Sequence, residues 1–141
     1  MHRVFGEKKS VTYVDRKGAY LIAVNEGKIA VVQTKKGLFL PGGGIDGSET
    51  DAETILRECR EEIGYDVAVE QRICSAEQYA EHPTIGYFHP IQTYYSGCLL
   101  KESWAPVEND HRLVWYPYES LKGKLFVPMQ NWALDVYWAQ Q

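Results

Sequence analysis

The segment Arg57-Glu58-Cys59-Arg60-Glu61-Glu62 sets three carboxylates within five residues of one another. On a helix, at about 100° per residue, Glu62 lies about 40° to one side of Glu58 and Glu61 about 60° to the other. The three share one face, where like charges raise one another's proton affinity and cost stability unless a cation or a bound proton compensates. A divalent cation compensates best. Magnesium takes oxygen ligands, keeps several waters, and is usually held by a few carboxylates together with substrate phosphates. Just upstream, Gly42, Gly43 and Gly44 expose backbone amides and carbonyls without side-chain obstruction, and a site of this kind needs such an open backbone.

These residues have to be positioned by regular elements. Thr50 followed three residues later by Glu53 forms a capping box and predicts a helix start near Asp51, with Gly64 as its stop. Ala52, Ile55, Leu56, Cys59 and Ile63 gather on the face adjoining the carboxylates, so the helix buries that side and holds the acids at its edge, while Arg60 points away from both. Upstream, the apolar runs Ala19 to Val24 and Lys28 to Gln33, joined by Asn25-Glu26-Gly27, predict a β-hairpin. Strand-like runs follow near Asp66 to Val69, Ile73 to Tyr79, Ile91 to Leu100 and Leu113 to Tyr116. The stripe Met129, Trp132, Ala133, Val136 and Tyr137 has the period of a buried face on a closing helix. One middle helix, one closing helix and mostly adjacent strands predict an α+β fold with a mixed sheet and helices against it.

With 141 residues, 45% of them hydrophobic and 24% charged, the chain has the length of one ordinary domain, expected to span residues 1–141. The N-terminal stretch has no signal-peptide pattern and no apolar run approaches the roughly 20 residues that cross a bilayer, so a cytoplasmic protein is expected. Cys59, Cys74 and Cys98 are widely spaced and suggest packed, reduced thiols. A formal net charge of -4 without a basic cluster argues against duplex nucleic acid as partner, so a phosphate-bearing ligand needs a bridging cation. A homodimer is left open.

The spacing of the whole segment is more specific than the glutamates alone. From Gly43, five residues lead to Glu49, seven more to Arg57-Glu58, and then come Cys59, Arg60, Glu61-Glu62, Ile63, Gly64 and Tyr65. This resembles the signature of the Nudix hydrolase family over Gly43 to Tyr65, about a sixth of the chain, with Leu38 to Gly42 similar to the strand and turn before it. Cys59 and Tyr65 stand where the family carries bulky aliphatic residues. The resemblance implies a mixed β-sheet sandwiched between α-helices. It also implies a Mg²⁺-dependent pyrophosphohydrolase, with Mn²⁺ as a substitute, that cuts a nucleoside diphosphate linked to another moiety. Carried over residue by residue, it makes Glu58, Glu61 and Glu62 metal ligands and lets Gly42 offer its carbonyl. Arg57 then orients the carboxylates by a charge-assisted hydrogen bond, and Glu49 holds water or the arginine. The general base stays open between Glu58 and a downstream acid. Glu108 is a further metal-ligand candidate, because family members often bring one more acid to the metals from about this point. Gln130 and Asn131, just after Pro128, fall where some purine-selective members carry a base-contacting amide. Of the two, Gln130 is favoured, at the border of the buried face, with Asn131 pointing into solvent.

Other readings compete. Gly42-x-Gly44-x-x-Gly47 matches a dinucleotide fingerprint, but Glu62 sits inside the helix rather than on a second strand, and Asp46, Glu49 and Asp51 repel a pyrophosphate at the helix start. A module that binds or senses a nucleotide with little turnover is a second alternative. His82, His89 and His111 lack ligand spacing. Tyr87, Phe88, Tyr94 and Tyr95 are candidates for stacking a base, although sheet packing is their commoner use. Family subgroups are told apart after the signature, by a proline for ADP-ribose or a tyrosine for dinucleoside polyphosphates. Pro83 and Tyr79 fall near those positions without matching them, and the Ser-Gln-Pro-Trp run associated with NADH is missing. The resemblance therefore leaves a nucleoside triphosphate, standard or modified, as the expected substrate.

Overall fold

The computed structural model describes residues 1–103 and 107–141. Its strands are β1 (His2–Phe5), β2 (Val14–Asn25), β3 (Lys28–Thr34), β4 (Gly37–Phe39), β5 (Gly42–Gly44), β6 (Tyr65–Gln78), β7 (Ala80–His82), β8 (Gly86–Glu102) and β9 (Arg112–Pro117). The helices are α1 (Asp51–Ile63), α2 (Tyr118–Leu121) and α3 (Pro128–Ala139). The sheet runs β1-β6-β8-β2-β3-β4, with β5 on β2, β7 on β8 and β9 on β3. It is mixed: β1 with β6 and β2 with β8 are parallel, and the remaining named pairs are antiparallel.

The centre of β2 explains the layering. Ala19, Leu21 and Ala23 pack with Ile55, Cys59 and Ile63 of α1, while Ile22 on the alternate side joins Met129, Ala133 and Leu134 of α3. A strand covered by a helix on each face must be apolar continuously rather than alternately, as Ala19 to Val24 is. The expected hairpin closes through Glu26 (φ 51°) and Gly27 (φ 75°), both left-handed, which makes a two-residue turn of the type that matches strand twist.

The runs near Asp66 and Ile73 are one strand, β6, carried through register shifts around Arg72; these local irregularities keep it paired with β8. Strands β1 and β7 and the short helix α2 were not anticipated. His2–Phe5 has no sequence boundary of its own and takes its order from parallel pairing with Ser75–Gln78. All three cysteines are free. Among the described residues, no helix is long and apolar enough to cross a membrane.

Candidate active site

Helix α1 begins with the expected reciprocal cap. Thr50 Oγ1 accepts the Glu53 N–H at 3.2 Å, and Glu53 Oε1 accepts the Thr50 N–H at 2.9 Å. Gly64, at φ 73°, ends the helix in the left-handed region. The buried face differs from expectation in the first turn, where Ala52 is exposed and Thr54 is fully buried. Thr54 can be buried because its hydroxyl donates to Glu49 Oε1 at 2.9 Å.

Glu49 anchors one end of the acidic edge. Arg57 Nε donates to Glu49 Oε2 at 2.7 Å and Nη2 to Oε1 at 2.9 Å, a two-pronged pairing. The guanidinium holds the Glu49 carboxyl down at about 2, assisted by the Asp46 N–H. The rest of the fork points along the helix. Nη1 donates to Glu58 Oε1 at 2.7 Å and more loosely to Glu61 Oε2 at 3.4 Å, and Nη2 reaches the Gly44 carbonyl at 3.1 Å. One arginine thus joins the loop before α1, the glycine strand β5 and two of the glutamates.

Glu62 turns the other way and accepts the Gly42 N–H at 2.9 Å. Burial is the main reason its carboxyl is pushed up to about 8, and the nearby charges of Glu58, Glu108 and Glu61 add to the shift. Burial also raises Glu58, against the pull of Arg57. Glu108 arrives from the loop before β9, where its N–H donates to the Glu61 carbonyl at 2.8 Å. Its carboxylate lies 3.5 Å from His111 Nε2 and adds to the field at both Glu58 and Glu62.

Among the described residues, no three His, Cys, Asp or Glu side chains converge tightly enough to hold a metal ion. Glu58 and Glu61 lean to Arg57 while Glu62 leans to β5. The donor set nonetheless suits a hard divalent cation, because carboxylate oxygens are what Mg²⁺ takes. Glu58 also lies directly on the strand backbone: a Cβ at Gly43 would stand 2.5 Å from its Cδ and 2.6 Å from Oε2. Gly42, at φ 140°, has no room for a Cβ against the backbone of Ala19 and Tyr20. The glycines let the acids of α1 and the backbone of β5 touch.

Two clefts flank this edge. One, of about 620 Å³, runs between the glycine segment and the start of α3, past Arg16, Lys17, Gln92, Phe88 and Phe126. The other, about 320 Å³, includes Gly42, Glu62, Lys36 and His111. Tyr20 lines both, and burial, with a smaller push from the charges of Glu62 and Glu58, raises its hydroxyl to about 12. Tyr20, Gln92 and Phe126 escaped the sequence reading because a strand tyrosine, a strand glutamine and a loop phenylalanine carry no motif.

The amides after Pro128 take other positions than expected. Gln130 is buried, and its Oε1 accepts the Leu40 N–H at 2.8 Å. Asn131 does not point into solvent; it brackets Leu125, accepting from its N–H and donating to its carbonyl, each at 2.9 Å. The backbone groups of Leu40 and Leu125 draw both amides inward, and neither lines the two clefts. Of the aromatic candidates, Tyr94 is in the core, Tyr95 donates to Asp51 at 2.5 Å, Tyr87 meets Tyr13 edge-on, and Phe88 lines the larger cleft. His89 is set between Asp15 and Glu77, and His82 accepts the Thr84 N–H.

The architecture is a mixed sheet between helices, with an acid-edged helix laid on a glycine strand. A family model described as the NUDIX domain matches residues 14–137, and the chain belongs to that family. The fold is similar to that of a NUDIX hydrolase from Nitrosomonas europaea, with a TM-score of 0.76 at 15% identity over 90% of each chain. It is also similar to a MutT NUDIX hydrolase from Burkholderia pseudomallei, with a TM-score of 0.72 at 23% identity, covering 86% of this chain and 97% of that one. An ADP-ribose pyrophosphatase from Streptococcus suis superposes with a TM-score of 0.65 at 19% identity, covering 89% and 92%. No curated protein matches by sequence. Nudix hydrolases generally act on nucleoside diphosphate-linked substrates and use divalent metal ions.

Proposed function

We propose that the chain catalyses Mg²⁺-dependent hydrolysis of a nucleoside triphosphate, standard or modified, to nucleoside monophosphate and pyrophosphate. The observation that carries this reading is the position of the carboxylates. Glu62 opens into a cleft whose wall, Tyr20, it shares with the larger cleft, and Glu58 packs on the intervening glycine strand. A polyphosphate chain can therefore lie across the acids while its nucleoside occupies the larger cleft.

When bound, Mg²⁺ supplies Lewis-acid polarisation of the phosphoryl oxygens and helps generate the attacking hydroxide; Mn²⁺ also accepts carboxylate and carbonyl oxygens. Glu58, Glu61 and Glu62, with the Gly42 carbonyl and Glu108, are the residues that would hold it. Arg57 keeps Glu58 against β5 through the 2.7 Å hydrogen bond, and Glu49 fixes Arg57 in turn. Glu58 and Glu108 are the candidate acceptors of the water's proton. Arg16 and Lys17, in the larger cleft, offer positive charge to phosphates. Water adds to one phosphorus, the bridging P–O bond breaks, and the released phosphate leaves with the bond's electron pair.

The test is a panel of nucleoside triphosphates, modified nucleotides, ADP-ribose and dinucleoside polyphosphates with Mg²⁺, the products resolved chromatographically. Triphosphates yielding monophosphate and pyrophosphate support the reading. Preferential cleavage of ADP-ribose or a dinucleoside polyphosphate moves the substrate elsewhere, and binding without turnover makes the chain a nucleotide sensor.

A further inference from the structure

The floor of the larger cleft carries a polar side chain whose orientation the core dictates. Gln92, on β8, is only 8% exposed. Its neighbours across the sheet are Gly18 on β2 and Ala76 on β6, and the Tyr20 ring covers Gly18, its Cε2 lying 3.1 Å from where a Cβ there would stand. Gln92 Oε1 accepts the hydroxyl of Tyr94 at 2.6 Å. Tyr94 is fully buried, and its hydroxyl hydrogen has no other acceptor among the described residues. A reversed amide would set an N–H₂ against that hydroxyl and strand its proton in the core, so the carbonyl must face Tyr94. The other end of the amide, Nε2, has no partner among the described residues, yet it is not sealed from solvent. Because Gln92 lines the cleft, that amide opens into it.

Gln92 is thus a fixed donor. Phe88 and Phe126 line the same cleft, and Phe126 is 57% exposed, with its ring centroid 5.3 Å from that of Phe39. Aromatic rings suit the face of a base and a buried amide suits its edge. Gln78 of β6 lines the same cleft and can turn its carbonyl toward a ring N–H. Guanine, hypoxanthine, uracil and thymine present a carbonyl beside a ring N–H, which such a pair complements. Adenine and cytosine present an amino group, which would meet the Gln92 donor head-on.

We infer that Gln92, locked by Tyr94, makes the larger cleft select nucleotides whose base carries a carbonyl at the recognised edge over those carrying an amino group. This rests on the proposed function for the placement of the nucleoside, but it is tested without turnover. Dissociation constants of GMP, IMP, UMP, AMP and CMP are measured by calorimetry for wild type, Gln92→Glu and Tyr94→Phe, each checked for folding by thermal denaturation. Wild type is expected to bind the three keto nucleotides roughly tenfold more tightly than AMP and CMP, the worth of one satisfied rather than opposed hydrogen bond. IMP should follow GMP, since the carbonyl rather than the 2-amino group is read. Gln92→Glu, which replaces the donor by an acceptor, should abolish or invert the preference. Tyr94→Phe, which removes the lock and lets the amide flip, should bring the ratio toward parity. Equal affinities in wild type, a preference for amino bases, a ratio unmoved in both variants, or no binding of any monophosphate overturns the inference. Failure of the hydrolase reading shows separately, as absence of Mg²⁺-dependent turnover of any nucleotide.

Discussion

Glu62 is buried beside three other acids, and its only hydrogen bond among the described residues comes from the Gly42 N–H. Its carboxyl is pushed from the ordinary 4.5 to about 8, so the folded chain binds a proton that the unfolded chain releases. Stability of the metal-free protein should be full below pH 4.5, fall as pH rises toward 8, and level off above it. Glu62→Gln keeps the acceptor for Gly42 and removes the charge. In chelator it should therefore be more stable than wild type at pH 9, by on the order of a few kcal/mol, and little different at pH 4; denaturant midpoints at the two pH values check this. Arg57 makes a different prediction. Its planar fork serves Glu49, Glu58 and Gly44 at once, which a lysine cannot reproduce. Arg57→Lys should lower kcat roughly 10- to 100-fold, nearly as far as Arg57→Ala, and full activity in the lysine variant would show that charge alone suffices. The acids and their arginine were legible because they sit on one short helix with a fixed spacing. Their distribution was not, because helical geometry gives directions and not the partners each side chain takes on neighbouring elements.

The glycine strand β5 and helix α1 work as one element, and contact between them decides whether Glu58 can reach its position. A Cβ at Gly43 would collide with the Glu58 carboxylate rather than with the sheet. Gly43→Ala should therefore fold, with a thermal midpoint near wild type, and lose most of its activity; equal loss of both would place the glycine in folding instead. The start of α3 was the least legible element. Periodicity found Met129 and Ala133 of its buried face but missed Leu134, while Trp132, Val136 and Tyr137 are only half-buried; Gln130 and Asn131 are governed by backbone groups of Leu40 and Leu125, distant in sequence or outside the helix. Gln130→Ala leaves the buried Leu40 N–H without its acceptor and should cost about 1–3 kcal/mol in chemical denaturation. Because Gln130 lines neither cleft, the ratio of purine to pyrimidine turnover should stay as in wild type. The caps of α1 and the Glu26-Gly27 turn were readable because each is written within four residues. Strand β1 was not, because its order comes from β6, some seventy residues away.

Across the whole molecule, the sheet separates two cores and leaves the acids of α1 at the rim where β2, β5 and the loop before β9 meet. The alternation of helix and strand signals was enough to foresee that layering. The two clefts were not foreseeable, since the larger is assembled from β2, β6, β8 and the approach to α3 and the smaller from β2 to β5, α1 and the loop before β9, whose meeting no local pattern records. The central claim is that the glutamate rim performs the metal-dependent cleavage of a phosphate anhydride. The direct measurement is Mg²⁺-dependent release of nucleoside monophosphate and pyrophosphate from a triphosphate by wild type and Glu62→Gln, side by side, with chelator as control. The account predicts turnover by wild type only with the metal and a loss of at least roughly 100-fold in the variant. Undiminished release by Glu62→Gln, or wild-type release that persists in chelator, would contradict it.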